Sequence, residues 1–539
     1  MPLRCILSKT VKLHSGNLAL VVCAASVVAP GAHAGTTVSI NIKTAAAAPL
    51  APGFSGYNAP QLRNGVEYYD PKFVAAVAPL NPGWLRFPAG TASLAYDWNP
   101  ADATGGHINI NWMNSLITGD PAPVTGQAVS VLTMSQPLTQ AKGGVYLSDF
   151  ATFAHTFGAQ TIVCFNGYTD TNPNSAELMA QAAESLGLNV EEWELANEAY
   201  LYPAIFSSAA SYAAAMFNPY YSNIVSAAPD ATTGVFLAGQ FTGSIVNSLP
   251  PNWLANWDTG LSAYTPQYWN AISMHVYPLP ERQTNKNTMQ ILNGVLAHGT
   301  GEYISSYVDP LIGANTPIFI TELNCCSPDD DKFLSFLYNG IFLAEYIMRM
   351  SVVPNVKAVG INSLYTDNSD YHGLIQSFDD FESYLLAQVT ADPAWSTDTA
   401  TNPNTPYQFY TSAPGLAMEI LNQAINNSAG TWPTTVTGGP YVAIQGYGGQ
   451  SIPAVYAQGY QGSGGKQYIA ITNKSASTCT TTIKMNGKPV TASMTVTTVT
   501  NSSAYVSNTA AAPNTVQIQT STSGNPISIG PYSVTVVEW

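Results

Sequence analysis

A chain of 539 residues carries only 17 Lys and Arg against 32 Asp and Glu, a formal net charge of −15. So sparse a basic complement excludes a nucleic-acid footprint and a polybasic membrane anchor, both of which need clustered cations. Disorder is excluded as well, because 46% of the residues are hydrophobic and 30 Tyr, 18 Phe and 10 Trp supply a large core.

Residues 1–34 have the layout of an export signal: basic Arg4, Lys9 and Lys12, an apolar run from Leu18 to Val28, and small residues at Ala32-His33-Ala34. Removing them takes away three basic and no acidic residues, leaving 14 against 32 and a net charge of −18. Leu20-Val21-Val22 before Cys23 lacks the small residues that precede a lipidated cysteine, so a secreted or periplasmic protein without a membrane anchor is expected. Every later apolar run stops well short of the roughly 18 residues that span a membrane.

Thr36–Ile42 alternates Val38, Ile40 and Ile42 with polar residues, and residues 35–52 are expected to add a strand to a sandwich formed by the far end of the chain. Residues 53–430 then alternate short β-branched or aromatic runs with longer helical patterns. The strands are expected at Gly53 to Tyr57, Trp84 to Phe87, Thr161 to Phe165, Glu192 to Leu195, Thr233 to Ala238, Ala271 to Tyr277, Ile318 to Glu322 and Val359 to Leu364. Helical patterns fall at Pro71 to Pro79, Ser148 to Phe157, Ser175 to Leu186, Ala209 to Ala227, Thr288 to Ser306, Lys332 to Met350 and Leu416 to Ile425. Eight such strands predict an α/β fold of the (β/α)8 TIM-barrel type. The irregular stretch from Asn99 to Gly144 is too long for a plain connection and is expected to wall the active-site face. Residues 431–539 turn to Thr, Ser, Gly, Asn and Val in short alternating runs, which predicts an appended all-β antiparallel sandwich domain.

The mature cysteines Cys164, Cys325, Cys326 and Cys479 fit neither a zinc site nor a disulfide framework. The adjacent pair Cys325-Cys326 reads equally as a strained vicinal disulfide or as two reduced thiols at the end of a buried strand. Two carboxylates stand out. Glu198 follows the fourth strand in Glu194-Leu195-Ala196-Asn197-Glu198, and Glu322 closes the seventh in Ile318-Phe319-Ile320-Thr321-Glu322. Reactive groups of a TIM barrel project from these strand ends, and an ionised carboxyl there is costly to desolvate without partners. For one glutamate a nearby Arg or a helix cap is the ordinary explanation; two, one of them preceded by Asn, point to catalysis.

These two strand ends resemble the acid/base and the nucleophile of the clan A retaining glycoside hydrolases. Trp84-Leu85-Arg86-Phe87-Pro88-Ala89-Gly90-Thr91, Tyr96-Asp97-Trp98 and the closing Val537-Glu538-Trp539 are most similar to glycoside hydrolase family 79, the β-glucuronidase and heparanase family; family 51, of arabinofuranosidases, shares the first motif in part. The resemblance implies double displacement, with Glu322 as nucleophile, Glu198 as acid and base, and carboxyls about 5–5.5 Å apart. It also implies that Arg86 stands beside the nucleophile, that Asn197 binds the sugar 2-hydroxyl, and that Tyr277 of Met274-His275-Val276-Tyr277 donates to the nucleophile. His275 is expected to pack or to touch sugar rather than act as a base, and Asp97 joins the substrate-binding candidates with its motif. No ligand spacing such as His-Glu-X-X-His occurs, so neither a metal nor a cofactor is expected.

The chain departs from these relatives where the sugar is recognised. The tryptophan that clan members place on strand eight is absent from Gly360-Ile361-Asn362-Ser363-Leu364-Tyr365, and Tyr365 is the candidate substitute. The loop after the nucleophile has Asn324-Cys325-Cys326-Ser327-Pro328 and Asp329-Asp330-Asp331 instead of uronate-binding tyrosines. The acids read best as the cap and first turn of a helix near Lys332. His372, in Tyr371-His372-Gly373, is a further candidate contact. A β-glucuronidase-like exo-glycosidase is thus expected first, with α-L-arabinofuranosidase, β-xylosidase or β-glucosidase as alternatives. A non-catalytic carbohydrate-binding protein is the reading from another class. The acidity argues for a small or weakly charged glycoside over a polyanionic chain.

Overall fold

A computed structural model describes residues 36–59, 68–88, 90–98, 106–108, 146–170, 172, 174–241, 249–279, 288–299, 301–326, 331–366, 371–378, 408–445 and 451–539. The expected export segment, most of the wall from Asn99 to Gly144, and Asp329 and Asp330 lie outside the described residues.

Eight parallel strands close on themselves: β1 (Ser55–Asn58), β2 (Trp84–Phe87), β3 (Gln160–Phe165), β4 (Val190–Leu195), β5 (Thr233–Phe236), β6 (Ala271–Tyr277), β7 (Ile318–Leu323) and β8 (Val356–Ile361). Each pairs with the next, and β8 returns to β1 through Val359↔Ser55 and Ile361↔Tyr57. The fold is therefore a TIM barrel, with no free sheet edge. Strands such as β6 are buried along their whole length, as parallel strands covered by helices must be. The last strand sits three residues earlier than its pattern predicts. The chain leaves the sheet after Ile361, and Leu364 donates its N–H to the Asn58 carbonyl at the end of the neighbouring β1.

Two helices are more broken than their apolar periodicity predicts. The pattern Ala209 to Ala227 forms Ala209–Ala215, a wide turn over Met216–Tyr221 and Ser222–Ala227. Pro219 is the cause, since it drives the preceding Asn218 to an extended φ of −137° and ψ of 123°. The pattern Thr288 to Ser306 stops at His298 and resumes at Gly301, across a stretch opened by Gly299. Asp331 accepts the Phe333 N–H at 2.9 Å and caps the short helix Lys332–Ser335.

Two β-sheets pack beside the barrel. One has seven antiparallel strands, in the order Ala48–Pro49, Ser428–Trp432, Val455–Gly462, Gln467–Asn473, Ser533–Glu538, Met494–Thr500 and Ile518–Ser523. The other centres on Thr36–Ile42, which runs antiparallel to Thr434–Gly438 but parallel to Cys479–Met485. That parallel pair arises because a strand from the start of the chain enters the sheet without a hairpin. Val38, Ile40 and Ile42 point inward against Trp432, Ile469, Ile471 and Ile483.

The helix Leu337–Met350 lies between barrel and sheet and is buried on nearly every side. Its buried charge is Glu345, which accepts from Lys474, from the Thr472 hydroxyl at 2.7 Å and from Arg349 at 2.8 Å. Burial opposes the charge on both Glu345 and Lys474. Lys474 and Arg349 overcome it for Glu345, whose pKa falls below 4.5, whereas burial prevails for Lys474, whose pKa is lowered. A carboxylate with a depressed folded pKa stabilises fully above its unfolded value and loses that contribution as pH falls through the folded value. Lys474→Met is expected to strand the Glu345 charge and cost about 3–5 kcal/mol of unfolding free energy at neutral pH, with the deficit shrinking in acid; denaturant titrations at two pH values measure both.

Candidate active site

The strands bring one guanidinium to the centre of the barrel mouth. Arg86 of β2 is fully buried. Its Nε donates to Glu194 Oε2 at 2.6 Å, Nη1 to Asn58 Oδ1 at 2.9 Å and to Glu322 Oε1 at 2.6 Å, and Nη2 to Asn197 Oδ1 at 2.8 Å. Burial works against the charge, but Glu194 and Glu322 outweigh it and raise the Arg86 pKa. Because Asn197 spends its oxygen on Arg86, its amide N–H2 is free to face a ligand.

Glu322, at the end of β7, accepts on its other oxygen from the Tyr277 hydroxyl at 2.5 Å and from Asn362 Nδ2 at 3.3 Å. Donors on both oxygens suit the acceptor-only ionised carboxylate. Burial, and then the charges of Glu322 and Glu198, push the Tyr277 hydroxyl well above 10, so it stays a donor. Gly90 passes directly over the carboxylate: a Cβ there would sit 2.5 Å from Glu322 Oε1.

Glu198 arrives by a different route. Beyond β4 the backbone turns left-handed, with φ of +69° at Ala196 and +48° at Glu198, a conformation that costs roughly 1–2 kcal/mol per residue. Two tyrosines hold the turn: Tyr212 donates to the Leu195 carbonyl and Tyr168 to the Asn197 carbonyl. Glu198 Oε1 then accepts from the Tyr200 hydroxyl at 2.9 Å and faces His275 Nδ1 at 2.8 Å. Burial and Glu198 raise the Tyr200 pKa well above 10. His275 also lies 3.6 Å from Glu322 Oε2, so it bridges the two glutamates from the floor of the site. Of the two roles expected for it, the fully buried ring takes the packing one, edge-on to Phe236 at 5.1 Å, and adds contacts to both glutamates. The β6–β7 register shifts between Met274 and His275, which sets His275 opposite Glu322.

One oxygen each of Glu198 and Glu322 lies within 4.8 Å of the other, together with a His275 nitrogen. The spacing is close to the about 5–5.5 Å of carboxyl pairs that work by covalent displacement and short of the about 6.5–9.5 Å that admits an attacking water. A metal ion could also be accommodated by three such atoms, but a guanidinium 2.6 Å from Glu322 Oε1 is an electrostatically hostile neighbour for a second cation.

Arg86, Asn197, Glu198, His275, Tyr277 and Glu322 thus form one network; Tyr365, Asp97 and His372 are the other sequence candidates. Tyr365 is fully buried between Phe73 and Phe409, at ring distances of 5.5 and 5.7 Å, and offers no face to a sugar, which corrects its expected role. Asp97 lies on a hairpin with His107–Ile108 beside Asp170, whose carboxyl is pushed up by burial and, to a smaller degree, by Asp97. His372 neighbours Cys326 on the loop that follows Glu322. Cys325 and Cys326 are free buried thiols with sulfurs 3.7 Å apart. Sequence reasoning missed Asn58, Gly90, Glu194, Tyr200 and Asn362. Asn58 and Asn362 sit at or just past barrel-strand ends, a placement that could have flagged them.

No protein-family model matches the chain. No curated protein matches it either. Among solved structures it is similar to the family 51 α-L-arabinofuranosidase of Thermotoga petrophila RKU-1, at 16% identity and a TM-score of 0.64 over 93% of this chain and 100% of that one. It is similar also to the family 51 arabinofuranosidase of Xanthomonas axonopodis pv. citri, at 15% and 0.63 over 93% and 99%. A family 44 xyloglucanase of Paenibacillus polymyxa aligns at 10% and 0.54 over 93% and 99%. Likeness at these identities is one of fold.

Gly90→Ala tests how closely the loop is built onto Glu322. The added methyl is expected to destabilise the protein by about 1–3 kcal/mol in denaturant titration and to lengthen the Arg86–Glu322 contact in a crystal structure.

Proposed function

We propose that the protein is a retaining O-glycosidase that hydrolyses α-L-arabinofuranosides by double displacement. The observation that carries the reading is the pair of carboxylates within 4.8 Å of each other, held in unlike surroundings. Glu322 is bound to Arg86, Tyr277 and Asn362, while Glu198 takes its two contacts on Oε1 and keeps Oε2 for a leaving group. In the first step a Glu322 oxygen attacks the anomeric carbon as the bond to the aglycone oxygen breaks, and Glu198 gives that oxygen its proton. In the second, Glu198 takes a proton from water, which attacks the same carbon and releases Glu322 with net retention. Asn197 Nδ2 is the donor to the sugar 2-hydroxyl, and Tyr277 keeps the nucleophile from rotating. The N-terminal export pattern supports a place for this activity outside the cytoplasm.

The choice of sugar rests on two supports. The similar structures named arabinofuranosidases extend along 93% of this chain. In addition, Arg86, the cation of the described site, is fully buried and spends four of its five N–H donors on Glu194, Asn58, Glu322 and Asn197, which leaves it no two-pronged fork for a uronate carboxylate. The glucuronide expected first from the sequence therefore ranks below a neutral pentofuranoside. A purely carbohydrate-binding role needs neither the paired carboxylates nor the left-handed turn that delivers Glu198.

Aryl α-L-arabinofuranoside, β-glucuronide, β-xyloside and β-glucoside offered side by side decide the sugar. The arabinofuranoside is expected to turn over fastest, and inactivity toward all four contradicts the proposal. Glu322→Gln is expected to abolish turnover while retaining sugar binding in calorimetry. Glu198→Ala is expected to lose about 10²–10⁴-fold on poor leaving groups and far less on activated ones.

A further inference from the structure

Two more glutamates lie beneath the site on β4. Glu192 and Glu194 occupy alternate positions, so both point into the barrel, and both are fully buried. They are held in opposite ways. Glu194 Oε2 accepts from Arg86 Nε at 2.6 Å. Glu192 Oε1 accepts from the Ser273 hydroxyl at 2.9 Å, in space left by Gly234, where a Cβ would fall 1.9 Å from that oxygen. Burial and the charge of Glu194 push Glu192 well above 4.5, the behaviour of a neutral acid. The other groups facing Glu194 are Cys164 of β3 and Tyr212 of the helix Ala209–Ala215, both with pKa raised chiefly by burial and so uncharged at neutral pH. One cation thus serves two carboxylates, Glu194 on its Nε and Glu322 on its Nη1.

We infer that Glu194 is a positioning residue for the nucleophile, aiming the guanidinium of Arg86 at Glu322 and drawing off part of its charge. The inference rests on the glycosidase reading. Without the Glu194 charge the whole attraction of Arg86 falls on Glu322, which then keeps its negative charge to lower pH and attacks less readily. Glu192, carrying its proton already, contributes no such charge.

The test compares Glu194→Gln, which keeps an oxygen for Nε but loses the charge, with Glu192→Gln. In Glu194→Gln the acid limb of the kcat/KM profile is expected to move to lower pH by about one unit, with kcat down roughly tenfold. In Glu192→Gln the limb stays in place. An unmoved limb in a folded Glu194→Gln, or an equal shift in Glu192→Gln, overturns the inference, because a merely structural role would lower activity without moving the profile. Should Glu194→Gln fail to fold, Glu194→Asp is expected to shift the limb the same way but less, by drawing the carboxylate back from Arg86; a wild-type limb there overturns the inference. A wild type inactive on every glycoside overturns the underlying reading before either variant is made.

Discussion

A guanidinium with no access to water is the constraint on which the rest of the structure depends. Taking such a charge out of water costs several kcal/mol even after relaxation, and only close partners offset it. Arg86 has four: the carboxylates of Glu194 and Glu322 and the amide oxygens of Asn58 and Asn197. Those partners come from β1, β4, β7 and the turn after β4. The barrel must close, and close in one register, before the charge is compensated. A one-residue slip of β2 would turn Arg86 away from all of them.

The same residue gives two glutamates of identical chemistry different surroundings. Glu322 extends directly from a strand into the guanidinium, while Glu198 is lifted off its strand by a left-handed turn and meets Tyr200 and His275 instead. His275 lies within reach of both, so a change of charge on one is felt by the other. Distinct surroundings for a pair of carboxyls are how a barrel assigns an acid and a nucleophile. Asn197 joins the two halves, its oxygen fixed by Arg86 and its carbonyl by Tyr168.

All eight barrel strands were legible in the sequence, because short apolar runs punctuated by Gly, Pro and Asn have few other readings. The two glutamates were legible for the same reason, as charges at the ends of such runs. Glu194 was not. Two acids at alternating positions on a strand look alike whether they face water or a buried cation, and only the position of Arg86 distinguishes them. Tyr365 was misread because strand eight ends earlier than its pattern predicts. Asn362 then reaches Glu322, and Tyr365 turns into the aromatic core with Phe73 and Phe409. The break at Pro219 shows the complementary limit, since periodicity marks a buried face without saying whether the backbone along it is continuous.

The central claim is that the carboxylate held by Arg86 forms the covalent bond. The most direct measurement is trapping with an activated 2-deoxy-2-fluoro arabinofuranoside followed by peptide mass spectrometry. The account predicts one glycosyl unit, on the peptide containing Glu322. A label on Glu198, or turnover that leaves every peptide unlabelled and releases the inverted anomer first, would contradict it.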